Sequence, residues 1–216
     1  MYSLLQPSQQ WDPNAAYYPF GIVPDAKIGV PDVLSLLRDY YQGTDFDLTN
    51  GIAAGPFGNP YRYDTGGETN LTGQFERAIS IDRGLFSFVA MARPFLPDHI
   101  GAAIWYGWDW PGNTAYHPLW VSSATVPAEY DVCEGSQSKF SLKSPWRPFN
   151  LVNNWALLRF DKISLDIRAK AEQWEQKAYA MVADVEKRAQ KLDVAAASKL
   201  LETSQNTHAN ALVADW

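Results

Sequence analysis

Between Arg77 and Val121 the apolar residues recur at every second position, and from Asn150 onward at every third or fourth. A period of two belongs to a strand that buries one face, and a spacing of three and four to an amphipathic helix. Ile79 and Ile81 alternate with Ala78 and Ser80. Beyond the turn residues Arg83-Gly84, Phe86 and Phe88 alternate with Ser87 and Val89, which predicts an antiparallel hairpin. Pro94 and Pro97 end that strand, AAIWYGW reads as a third, and AYHPLWV as a fourth after Pro111-Gly112-Asn113. Pro118 cannot donate to a ladder, so the fourth strand is expected at an edge or a bulge. Strands first and helices after them define an α/β chain of the α+β type, an antiparallel meander followed by long C-terminal helices.

The helical readings have explicit boundaries. Pro31–Tyr41 is the first helix: proline and Asp32 suit a first turn, Val33, Leu36, Leu37 and Tyr40 make a stripe, and Gly43 is a natural stop. In the C-terminal region Trp174, Ala178, Met181, Val185, Ala189 and Leu192 share one face, with Asp184 and Arg188 as an i, i+4 pair on the other. A break is expected near Ser164, and a polar, frayed tail after Leu201. The expected organisation is one domain over 1–216. It comprises a wrapping segment (1–30), a helix, loop and meander region (31–149), a helical region (150–202) and a tail (203–216). Within it, 63–74 and 122–148 read as loops.

Composition narrows the function classes. Net charge is −6, the pI is near 5.0, and the basic residues are scattered, which argues against nucleic acid as a partner. No apolar run reaches the ~20 residues of a membrane span, so no membrane partner is expected, and the first residues lack the basic and apolar regions of a secretory signal. One cysteine, Cys133, reports no compartment. His99, His117 and His208 have no metal-ligand spacing, and no metal or organic cofactor is expected. Nine tryptophans leave core, a homo-oligomer interface and a binding surface all open.

Four blocks carry a more specific signal. They are GTDFDLTNGIAAGPFGNPYR (43–62), ERAISIDR (76–83), AIWYGWDWPGNTAYHPLW (103–120) and SPWRPFNLVNNWA (144–156). In this order they resemble the C-terminal part of the dipeptidase A family, cysteine dipeptidases of the N-terminal-nucleophile hydrolase superfamily related to the secernins. The resemblance implies a four-layer αββα sandwich and hydrolysis of a dipeptide's amide bond by a cysteine thiolate, without a cofactor. In that family the cysteine is the first residue of the mature chain, where its own α-amino group, with a pKa near ~8, takes the thiol proton. Here the sequence opens with Met1-Tyr2-Ser3, and a thioether cannot attack as a thiolate. The expectation is therefore a chain inactive alone, with no catalytic residue of its own, which a nucleophile-bearing part would complete for a dipeptide substrate.

Substrate-binding candidates come from the resemblance for Arg77 and from loop chemistry for the other three. Arg77 in ERAIS would orient a substrate carboxylate or support an oxyanion, although a strand-end ion pair explains it equally well. Asp47, Asn50 and Asn59 lie on the glycine-rich loop, where they would hydrogen-bond a dipeptide's amine or carbonyl; simple turn chemistry is the competing explanation. The chain departs from the family pattern at Gln42, where an acidic residue is usual, and at Arg147, where an aromatic is common. Two other readings stand beside this one: a non-catalytic peptide- or glycan-binding module using exposed aromatics, and a hydrolase built on Cys133.

Overall fold

The computed structural model describes residues 21, 23–61, 78–131, 134–135 and 138–216. Most of the wrapping segment, the 63–74 loop, Arg77 and Cys133 lie outside the described residues.

Helix α1 spans Val30–Leu37, with Pro31 in the first turn and the Asp32 carboxylate accepting from Gly29 N at 2.8 Å. It ends a turn earlier than its stripe suggested. Tyr41 already has a left-handed backbone, φ 65°, so the chain leaves the helical path before Gly43.

Three strands follow: β1 Phe86–Ala92, β2 Ala102–Trp108 and β3 His117–Trp120. They form one antiparallel sheet in the order β1-β2-β3, with Phe86 opposite Trp108 and Tyr106 opposite His117. Among the described residues β3, with Pro118, is at an edge. The predicted hairpin between Ile79–Ile81 and Phe86–Val89 does not form. Residues 79–80 are a bend, and Ser80 N donates to Asp39 O at 2.9 Å. The Ser80 hydroxyl is buried among polar partners, so its side chain stabilises a bend more than a ladder.

A short helix α2 (Asp98–Gly101) leads into β2, and helices α3 (Trp146–Ala156), α4 (Phe160–Ala189) and α5 (Val194–Asp215) complete the fold. Helix formation begins at Trp146, earlier than Asn150. The break lies at Leu157–Arg159, where Arg159 has φ −147° and ψ 65°, and α4 runs unbroken through Ser164. The Ser164 hydroxyl donates back to the Phe160 carbonyl within the same helix.

Helix α4 is the spine of the interior. Ala171 and Trp174 pack with Ala115, Phe149 and Leu212; Ala178 packs with Leu34, Trp105 and Tyr116; Val185 and Ala189 pack with Ile100, Ala103 and Trp120. Leu192 falls outside this stripe and is exposed, because the chain turns there into α5. Two ion pairs join α4 to the sheet region. Arg93 donates through Nη1 to Glu186 at 2.7 Å, and Trp120 Nε1 donates to the same carboxylate at 3.1 Å. Arg38 holds Glu175 through both Nη atoms, while Tyr116 N donates to Glu175 at 3.0 Å.

The expectation of a frayed tail is wrong. Residues 203–215 continue α5, with Leu201, Ala209 and Leu212 fully buried. Its polar residues are used rather than solvated. Gln205 Oε1 accepts from Trp120 N at 2.6 Å, and Glu202 Oε2 accepts from Ala124 N and Thr125 N at 2.8 and 3.0 Å. They satisfy backbone donors of β3 and the loop after it, which burial would otherwise leave unpaired. No helix among the described residues is long and apolar enough to cross a membrane.

The two sheet faces differ. Val89, Met91, Ala103 and Trp105 meet α1 and α4, whereas Phe86 and Phe88 on the opposite face are 52% and 51% exposed. Phe86 stacks on Phe88 and on Tyr106, with centroids 6.4 and 5.7 Å apart. At the β3 side of that face Tyr130 covers His117 and Trp108.

Candidate functional site

The glycine-rich block folds as tight turns before a 3-10 segment, Ile52–Phe57. Asp47 organises the first turn: its carboxylate accepts from Gly43 N at 3.0 Å, Thr49 N at 2.9 Å and the Thr49 hydroxyl at 2.6 Å. Burial opposes its ionised form, but these hydrogen bonds outweigh it and hold the carboxyl below its ordinary value of 3.8. Asn50 closes the same turn, its N–H donating to Asp47 O at 3.1 Å, and its side chain is exposed.

Asn59 is elsewhere. It is buried, its Nδ2 donates to Leu157 O at 3.3 Å, and its Oδ1 accepts from Tyr61 N at 2.9 Å. Gly58 before it has φ 58°, the left-handed conformation that turns the chain inward. Asn59 thus introduces Tyr61, whose hydroxyl meets Ser80 Oγ at 2.9 Å and accepts from Trp110 Nε1 at 2.7 Å. Burial raises the Tyr61 phenol well above its ordinary range. Gly112 leaves the room this cluster needs, since a Cβ there would stand 2.7 Å from both Ser80 Oγ and Trp110 Nε1.

Asp109 precedes Trp110 and is the second centre. It is a non-glycine residue at φ 59°, 2% exposed, anchored by its N–H donating to Leu85 O at 2.8 Å. Asn153 and Asn150, one helical turn apart on α3, donate their amides to its two oxygens at 2.6 and 3.1 Å. Burial holds this carboxyl above 3.8 despite those amides. A buried carboxylate on a left-handed backbone is a costly arrangement, and such residues cluster at functional sites. Three buried polar atoms in these segments, Asn113 Nδ2, Thr114 Oγ1 and Asn153 Oδ1, have no hydrogen-bond partner among the described residues.

The network therefore draws one part of each quoted block together: Asn59 and Tyr61, Ser80, Asp109 and Trp110, Asn150 and Asn153. Of the four sequence candidates only Asn59 belongs to it. Asp47 and Asn50 share the earlier turn, and Arg77 lies outside the described residues. Asp109, Tyr61, Asn150 and Asn153 were not singled out as candidates. The signal available for them was a lone aspartate inside WDWPGN and asparagines three apart in a helix, polar residues where an apolar stripe is expected.

An antiparallel sheet backed by helices on one face, with a buried amide-and-carboxylate cluster at its end, is an α+β arrangement suited to holding polar ligand groups away from water. The model of peptidase family C69 matches residues 1–173, and the chain belongs to that family, the dipeptidase A-like cysteine peptidases. None of the curated proteins matches the chain.

Proposed function

We propose that these 216 residues form the sheet, helices and part of the substrate pocket of a cysteine dipeptidase. Its thiolate comes from a cysteine-bearing segment that packs on the open face of the sheet. The observation that carries this reading is the aromatic row of half-exposed Phe86 and Phe88 with the partly buried Tyr106, on the face opposite α4. Large apolar side chains grouped on one sheet face call for a covering layer, and a second sheet is the layer the family's αββα sandwich supplies. In this reading the thiolate attacks the dipeptide carbonyl, the amine leaves, and water releases the acyl group. Arg77 and Asn50 remain proposed contacts for the dipeptide's charged or carbonyl groups, while Asp47 and Asn59 shape the loop that carries Asn50.

The chain alone is then inactive toward dipeptides. The test is the intact mass and first residue of the native protein, together with dipeptide hydrolysis before and after thiol alkylation. A chain heavier than 24.2 kDa that begins with cysteine and loses activity on alkylation supports the reading. A native 24.2 kDa chain starting at Met1, with no thiol-bearing partner, overturns it. The same aromatic row favours a second reading, a platform for peptides or glycans. Quenching of tryptophan fluorescence by oligosaccharides but not by dipeptides would select its glycan-binding form.

A further inference from the structure

A cleft of about 260 Å³ lies between α1 and α4, lined by Arg38, Gly112, Arg168, Glu172, Gln176 and Tyr179 among others. Its two arginines are in different situations. Arg38 is neutralised by Glu175 and also donates to Thr114 O at 2.9 Å. Glu175 is fully engaged by that guanidinium and by Tyr116 N. Arg168 is partly buried and makes no ion pair or hydrogen bond with any described residue; its Cζ stands 5.9 Å from the centroid of the Tyr40 ring. Glu172, one turn further along α4, is exposed and makes no ion pair with it.

A guanidinium withdrawn from water is normally paired, because burial penalises an isolated charge. Burial is the largest influence on Arg168 and weighs against its charge, as does Arg38, and the opposing attraction of Tyr40, Tyr61 and Glu175 does not make up the difference. The formal charges lining the cleft cancel, two arginines against two glutamates. That balance suits a ligand with one negative and one positive group, and it disfavours a dianion.

We propose that this cleft binds a small zwitterion of one carboxylate and one ammonium, as in a free amino acid, with the carboxylate on Arg168 and the ammonium toward Glu172. The planar guanidinium matches a carboxylate in a two-pronged pair, and the exposed Glu172 sits where an ammonium would remain half-solvated. The inference concerns binding and holds whether or not the chain takes part in peptide hydrolysis.

Calorimetric titration of the purified chain tests it, with alanine, dialanine, N-acetylalanine, alanine amide and inorganic phosphate as probes. Saturable binding of alanine is expected, tighter than that of dialanine, whose charges stand further apart. N-acetylalanine and alanine amide, each lacking one charge, bind more weakly. Arg168→Gln lowers the affinity about tenfold or more, the equivalent of one charged hydrogen-bonding group. Its melting temperature stays close to that of the parent, because relief of the buried charge offsets the lost attraction to Tyr40 and Glu175. Glu172→Gln weakens alanine and leaves N-acetylalanine unchanged. Absence of alanine binding, tighter binding of dialanine or of phosphate, or unchanged affinity in Arg168→Gln overturns the proposal.

Discussion

Replacing Asp109 separates two costs that the structure combines at one residue. In Asp109→Ala the backbone stays at φ 59°, where an alanine Cβ is strained by about 1–2 kcal/mol. The amides of Asn153 and Asn150 also lose their acceptor. Each hydrogen bond to a charged group contributes about 1.5–3 kcal/mol, with the half-buried Asn150 at the lower end. The sum is a destabilisation of about 4–6 kcal/mol, a large share of the about 5–15 kcal/mol typical of a folded protein. Asp109→Gly has the same polar loss without the Cβ strain and should be about 1 kcal/mol more stable than the alanine variant. Asp109→Asn keeps one acceptor and a side chain that tolerates the left-handed conformation, and should cost about 1–3 kcal/mol near neutral pH.

Urea unfolding at fixed pH measures these differences. The pH dependence adds an independent check. The folded carboxyl titrates above its unfolded value of 3.8, so the folded state holds its proton more firmly. This contribution to stability is full below 3.8 and is lost as pH rises through the folded value. Asp109→Asn abolishes that component, so the parent-minus-variant stability must fall as pH rises from the acid side. An alanine variant within about 1 kcal/mol of the parent, or no gain from glycine over alanine, would refute the reasoning.

Glu186→Ala leaves the Arg93 guanidinium with only the Ile100 and Gly101 carbonyls and the Trp120 indole N–H without its acceptor, and is expected to cost about 3–5 kcal/mol in urea unfolding. Glu186→Gln, which keeps one acceptor, costs less. His117 is fully buried, and burial pushes its imidazole down to about 3; His208 is held at about 4 for the same reason. Their folded values lie below the ordinary 6.5, so their contribution is full above that value and is lost as pH falls through it toward the folded values. The ring C–H resonances of both should therefore not titrate between pH ~7 and ~5, where an exposed histidine does.

The candidate site was only partly legible in the residues. Asp47 and Asn59 stood out because glycines surround them, and both are indeed placed by turn chemistry, one as the acceptor of a tight turn and the other as the buried link to Tyr61. Asp109 gave a weaker signal, because its left-handed backbone and its two asparagine partners, 41 and 44 residues away, belong to the assembled fold. Ser80 read as an alternating strand residue. Its role follows from Tyr61 and Trp110, which reach it from 19 and 30 residues away.

Local rules determined much of the rest. Period two located β2 and β3, prolines marked the ends of strands, Pro31 began α1, and the apolar stripe from Trp174 to Ala189 became the spine of the interior. Such signals depend on neighbours within one turn or one pleat, so they survive without knowledge of the fold. Only the tertiary structure decided that Ile79–Ile81 would bend rather than pair, and that the polar residues after Leu201 would form a buried helix. Glu202 and Gln205 look solvated as a sequence, but β3 and its following loop present unpaired N–H groups at that place. Whether a polar side chain faces water or serves a buried donor depends on what the fold sets opposite it, and no local pattern carries that information.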